Sequence, residues 1–181
     1  MFYFNLMICI LSLAFWLYVL YALWEILHHR APFVPSPSVT RKLAFKQIIK
    51  LLNSNRPKTI IDAGCGNGRL LGQLAKKYPQ HRFIGIEYNS MLYNYCQHKY
   101  SKLKNIIFLN QDLLTFDYNQ ADIIYYFGLP KLTMALQEKL LHTTKKIDII
   151  ALDATFEKLT LIDKKSFRFW LTHSYLYHYK N

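Results

Sequence analysis

From Phe2 to Trp24 the chain reads FYFNLMICILSLAFWLYVLYALW, with no charged side chain. At about 1.5 Å per residue a helix of this length slightly exceeds a hydrocarbon core of about 30 Å. It is apolar on every side, which suits a membrane span better than the one-sided helix of a small soluble domain. The following APFVPSPS holds three prolines, which stiffen the chain and disfavour helix just before them. Helical spacing then resumes at Val39, Leu43, Ile48, Leu51 and Leu52, with Arg41, Lys42, Lys46 and Lys50 on the polar part. Ser38 or Thr40 is the expected cap of this helix.

Beyond Lys58, short apolar runs alternate with amphipathic stretches. Strands are predicted at Thr59–Asp62, Phe83–Glu87, Ile106–Leu109, Ile123–Phe127 and Ile147–Leu152, with helices near Arg69–Lys77, Ser90–Leu103 and Leu132–His142. Asn110–Ala121 leaves room for only a short crossover. The final KLTLIDKKSFRFWLTHSYLYHYK alternates and is rich in aromatic and β-branched residues, so it predicts an antiparallel hairpin with DKKS as its turn. This order implies an α/β domain: a Rossmann-like, mostly parallel sheet covered on both faces and completed by the C-terminal hairpin. Three regions result: an apolar anchor with its flank at 1–30, a proline-rich linker at 31–37, and one domain at 38–181.

Composition agrees with that division. The 181 residues are 52% apolar, which excludes a disordered chain. The net charge of +12 points toward anionic surroundings, either nucleic acid or phospholipid, but the lysines are scattered and do not choose between them. Tyr18, Tyr21 and Trp24 cluster at the far end of the apolar segment, as interfacial aromatics do, and basic residues follow on that side only at Arg30, Arg41 and Lys42. The expectation is a single-pass membrane protein whose domain lies on the cytosolic or equivalent inner side. A cleavable signal peptide would show a basic start and a small-residue cleavage site. The chain also starts without the Arg-rich pattern of a mitochondrial presequence, so a bacterial inner membrane is the expected location. Cys9, Cys65 and Cys96 have no CxxC spacing, which argues against a disulfide framework or a zinc site. His28 and His29 would point about 100° apart on a helix and lack partner ligands, so no metal is expected.

The stretch TIIDAGCGNGRLLGQLA, Thr59–Ala75, places a glycine-rich turn between a strand and a helix. Such a turn presents backbone N–H groups and the positive helix end to a ligand without side chains in the way. Gly64, Gly66 and Gly68 read G-x-G-x-G, with Asp62 two residues ahead, whereas the dinucleotide fingerprint is G-x-G-x-x-G. The D-x-G-x-G-x-G pattern resembles the first motif of class I S-adenosylmethionine-dependent methyltransferases. The resemblance implies S-adenosyl-L-methionine as cofactor. It also implies roles for Asp62 near the ammonium, for Glu87 at the ribose hydroxyls, for Tyr88 packing on adenine, and for Asp112 in LNQDLL near the adenine amino group. Cys65 lies within the turn and counts among the cofactor-binding positions as a small packing residue, because methyl transfer from a sulfonium needs no thiol nucleophile.

On the acceptor side, YYFGLPKL at Tyr125–Leu132, the apolar N-terminus and PFVPSP at Pro32–Pro37 are similar to small membrane-anchored protein lysine methyltransferases. Mitochondrial members of that family modify the adenine nucleotide translocase and the ATP synthase c subunit. This resemblance implies a protein substrate presenting a lysine, with Tyr126, Gly128 and Pro130 as the catalytic-site residues. Tyr125 and Phe127 either wall the pocket or pack into the sheet. A lysine near pKa 10.4 is neutral in only about one molecule in 2,500 at pH 7, equivalent to about 4.6 kcal/mol, and only the neutral amine can attack. A dry aromatic pocket beside a sulfonium lowers that pKa by disfavouring the charged form.

Three other readings stay open: methylation of RNA, methylation of a small molecule or lipid, and a non-catalytic membrane scaffold with the same fold. Nucleic acid is the less expected partner, because no compact run of interleaved bases and aromatics stands out. Oligomeric state and the number of methyl groups added are left undetermined.

Overall fold

The computed structural model describes residues 1–27, 38–53, 56–169 and 172–181. The expected linker at 31–37, together with His28, His29 and Arg30, lies outside the described residues. The chain divides into two units, residues 1–34 and 35–181.

The first unit contains α1, Phe2–Leu27. Its stretch Tyr3–Trp24 is long and apolar enough to cross a membrane, by length and composition. The large side chains of Leu6, Leu11, Phe15, Trp16, Leu17 and Leu20 are all exposed, so the helix presents apolar surface all round.

The second unit runs α2 (Ser38–Leu52), β1 (Thr59–Ala63), α3 (Arg69–Lys77), β2 (Arg82–Glu87), α4 (Ser90–Lys99) and β3 (Ile106–Asn110). A 3-10 turn at Tyr118–Gln120 leads to β4 (Ile123–Phe127), α5 (Pro130–Leu141), β5 (Asp148–Leu152), β6 (Thr160–Phe169) and β7 (Thr172–Lys180). The sheet order is β3-β2-β1-β4-β5-β7-β6. The first five strands are parallel, and β7 is antiparallel to both β5 and β6.

The pleat explains how two cores arise from one sheet. Successive residues point to opposite faces, so strands buried on both sides read as continuous apolar runs. Ile60 joins Ala44, Ile48, Leu71, Leu74 and Cys96 beneath α2, α3 and α4. Its neighbour Ile61 joins Ile124, Leu136, Leu140 and Phe156 on the α5 side.

The predicted strands all form, and three details differ. Helix α4 stops at Lys99 rather than Leu103, because Tyr100–Leu103 closes a turn through Leu103 N–H to the Tyr100 carbonyl, 3.0 Å. Asp163–Ser166, expected as the hairpin turn, lie inside β6 and pair with β7 up to Phe169 opposite Thr172. Their polarity reflects a place on the outermost strand, where charged residues are common, rather than a chain reversal. Thr40 is a buried residue inside α2 and does not cap it, and the side chain of Ser38 lies outside the described residues.

Candidate active site

The chain order departs outward from β1 in both directions, to β2 and β3 on one side and to β4 and β5 on the other. This makes a switch point at the C-terminal ends of β1 and β4, where ligands of open α/β sheets bind. The glycine turn leaves β1 at that point.

Three glycines of this turn adopt positive φ: Gly64 at 95°, Gly66 at 54° and Gly68 at 66°. The turn leans across the end of β2, since the N–H groups of Gly64 and Cys65 both donate to the Ile86 carbonyl at 3.0 and 2.9 Å. Gly68 then caps α3 in the left-handed conformation, and the Gly72 N–H returns to its carbonyl at 2.8 Å. At Gly64 an added Cβ would find nothing within 4 Å, so its flank is open; at Gly68 a Cβ would collide with Phe108 and Cys96. One glycine therefore clears a space, and the other makes room for packing.

Glu87, half-buried at the end of β2, holds the turn. Its Oε2 accepts from the Gly66 N–H and its Oε1 from the Asn89 N–H, each at 2.8 Å. A carboxylate at this place is the kind of acceptor that ribose hydroxyls require. Asp62 lies under the turn, 4% exposed. Burial, reinforced by the nearby negative charge of Glu87, pushes its carboxyl up to about 8. A buried acid with no cationic partner among the described residues suits a ligand that brings its own positive charge.

The remaining positions divide. Tyr88 is exposed at the rim. Asp112 is exposed too, with Oδ1 accepting from the Leu114 N–H at 2.8 Å. Cys65 is buried, its thiol 3.9 Å from the Gly66 carbonyl, and its hydrogen bond with the Cys96 thiol, reinforced by burial, holds its pKa well up, as suits a packing residue. Cys96 reaches the same carbonyl at 3.2 Å.

On the β4 side Tyr126, expected to face an acceptor, is fully enclosed. Its ring packs 5.9 Å from Phe156, its hydroxyl meets Thr133 Oγ1 at 3.3 Å, and burial pushes the phenol up to about 12. Strand alternation is the reason: Tyr125 enters one core and Tyr126 the other. The enclosed ring lies so close under Gly128 that a Cβ there would meet its hydroxyl at 2.3 Å. Phe127, Gly128, Leu129 and Pro130 therefore form the accessible part of this side, with Pro130 opening α5.

Several residues at this edge lie outside the sequence motifs. Asn89 caps α4 by accepting from the N–H groups of Met91 and Leu92. Asn110 donates to the Glu87 and Tyr88 carbonyls at 2.9 Å each and accepts from Ser90 Oγ, bracing the loop that carries Glu87 and Tyr88. Asp153, just past β5, holds a φ of 49° and is clamped to Tyr175 through both its N–H and its carboxylate. Asn89 alone fits a recognisable pattern, the cap before a helix. A surface cavity of about 440 Å³ lies at the opposite, N-terminal edge of the sheet, lined by Lys58, His81, Arg82 and Lys104, and is remote from this site.

A parallel sheet with this switch point, its glycine turn and an acid at the end of β2 defines the class I methyltransferase fold. Residues 62–160 match the ANTKMT methyltransferase domain, and the chain belongs to that family. Solved structures agree on the fold. An RNA methyltransferase from Salinibacter ruber in complex with S-adenosyl-L-homocysteine superposes with a TM-score of 0.66 at 16% identity, covering 81% of this chain and 93% of that one. The N-methyltransferase NodS from Bradyrhizobium japonicum WM9 gives 0.60 at 15%, covering 80% and 97%. Ribosomal RNA small subunit methyltransferase H of Coprothermobacter proteolyticus is 36% identical over 61 residues, 34% of this chain. The chain spans about a fifth of the length of that relative, 20%. The cofactor of this fold class is S-adenosyl-L-methionine. The site fits it through the open flank of Gly64, the carboxylate of Glu87 at the end of β2 and the buried Asp62.

Proposed function

We propose that this chain is a membrane-anchored S-adenosylmethionine-dependent methyltransferase that methylates a lysine side chain of a membrane-associated protein. The observation that carries this reading is the conjunction, in one chain, of the ANTKMT methyltransferase domain with an apolar helix of spanning length. The helix anchors the chain by a single pass and leaves the domain on the inner side of the membrane.

When bound, S-adenosylmethionine supplies an electrophilic methyl group on a sulfonium. Asp62 balances its cationic amino-acid end, Gly64 lets that end lie against the backbone, Glu87 orients the ribose, and Tyr88 and Asp112 border the adenine. Phe127 and the Gly128–Pro130 turn line the approach of the amine, excluding water from its charged form and offering backbone carbonyls as acceptors. Rate enhancement then comes mainly from alignment and desolvation, with no side-chain nucleophile.

The full chain, incubated with methyl-labelled cofactor and membrane fractions, should label a protein band whose hydrolysate contains methyl-lysine. Glu87→Ala should remove the label. Incorporation into RNA or lipid extract alone would refute the lysine reading. Methylation of RNA is the second reading; it is motivated by the name of the Coprothermobacter protein, 36% identical over 61 residues, and is compatible with the net charge of +12.

A further inference from the structure

The charge of +12 is unevenly distributed about the sheet. Helices α2, α3 and α4 cover one face and share one apolar core. Together they carry eight Lys and Arg residues and no Asp or Glu. The other face has mixed charge: Glu138 of α5 pairs with Lys158 at 2.7 Å, and Asp117 sits before the 3-10 turn. On α2, Lys42, Lys46 and Lys50 recur every fourth residue, all exposed, and so form one stripe along the helix. Lys76 and Lys77, exposed at the end of α3, lie alongside, with the Lys77 ammonium 5.9 Å from the ring of Phe45 on α2. At the β6 border Lys165 donates to Gln47 of α2 at 2.9 Å and also meets Asp163 at 3.4 Å.

We propose that the layer formed by α2, α3 and α4 docks against an anionic phospholipid surface, a proposal that rests on the membrane-anchored reading above. Two observations select lipid over another polyanion. The charges are spread over three neighbouring helices, as a stripe on α2 and a cluster at the end of α3, which suits the many dispersed headgroups of a lipid surface better than a single phosphate backbone. It also begins at Ser38, with only ten residues between it and the end of α1 at Leu27, a connection whose full contour is at most about 40 Å. Docking in this way sets the plane of the sheet parallel to the bilayer. The cleft at the C-terminal ends of β1 and β4 then opens along the membrane, raised by about one helix diameter of about 10 Å. A lysine just outside the bilayer on a neighbouring protein lies at that height.

The test uses the full chain in nanodiscs of phosphatidylcholine, with or without phosphatidylglycerol, and measures the rate at which individual lysines react with an amine-selective reagent. Each basic residue at an anionic surface contributes about fivefold in binding. Reaction at Lys42, Lys46, Lys50 and Lys76 should therefore slow severalfold in the anionic discs, and recover at high salt, while Lys131 and Lys158 of the opposite face stay unchanged. In the triple variant Lys42→Glu, Lys46→Glu, Lys50→Glu, the protection of Lys76 should disappear. Equal reactivity in both kinds of disc overturns the proposal and leaves the anchored reading standing. Failure of the chain to enter discs at all overturns both. Protection produced by added RNA and not by phosphatidylglycerol identifies the face as a nucleic-acid surface and refutes the lipid assignment.

Discussion

Gly64 and Gly68 stand in one turn, both at positive φ, yet their replacements by alanine should rank differently for stability and for cofactor binding. The backbone strain is comparable, since an L side chain at φ of 95° or 66° costs about 1–3 kcal/mol. At Gly64 this is the whole cost to folding, because the new methyl group meets nothing within 4 Å. At Gly68 the methyl would lie 2.9 Å from Phe108 Cε1 and 3.0 Å from Cys96 Sγ. Phe108 cannot readily yield: it is buried, and its ring stacks on Tyr100 at 5.6 Å. Overpacking of this kind adds about 1–3 kcal/mol. With about 2–4 °C per kcal/mol for a domain of this size, Gly64→Ala should lower the Tm by several degrees and Gly68→Ala by about twice as much. For the cofactor the order reverses. The space beside Gly64 is where the amino-acid end of the ligand would lie, so Gly64→Ala should weaken binding by about 10–100-fold, the equivalent of about 1.4–2.8 kcal/mol. The assay is thermal unfolding of the full chain in detergent, together with titration by S-adenosylhomocysteine. Binding by Gly64→Ala within about twofold of the parent would refute the placement of the ligand against this turn. A Gly68→Ala chain as stable as Gly64→Ala would refute the packing argument.

Three further outcomes follow from the same geometry. Glu87→Gln replaces a carboxylate that already accepts two backbone N–H bonds with a group of lower acceptor capacity, and should weaken cofactor binding about 10-fold or more, read by the same titration. Asp62 is neutral in the free protein up to about pH 8, and a cationic ligand favours its ionised form. Cofactor affinity should therefore fall as pH drops below about 8; Asp62→Asn should remove that component of the pH profile, and an unchanged profile would exclude Asp62. Tyr126→Phe removes only the hydroxyl contact with Thr133 and should cost about 1 kcal/mol of stability while leaving turnover intact; a large fall in kcat at unchanged stability would restore Tyr126 to the catalytic site.

What can be read along the chain depends on the range of the forces involved. The alternation of strands and helices, the spanning length of α1 and the D-x-G-x-G-x-G turn are local properties. Period, length and glycine conformational freedom act over a few neighbouring residues, so the sequence by itself determined the α/β class and the cofactor turn. Other features depend on residues brought together from far apart. The carboxyl of Asp62 is perturbed by burial and by Glu87, 25 positions later, and Tyr126 is enclosed because Phe156 and Thr133 cover it. Asn110 is a site residue only because β3 ends beside β2, and DKKS belongs to a strand only because β7 pairs with it. The lysines looked scattered along the chain, yet α2, α3 and α4 gather eight basic residues onto one face. Only the tertiary structure decided these points, because solvation, pKa and the grouping of charge depend on distances in space rather than in sequence.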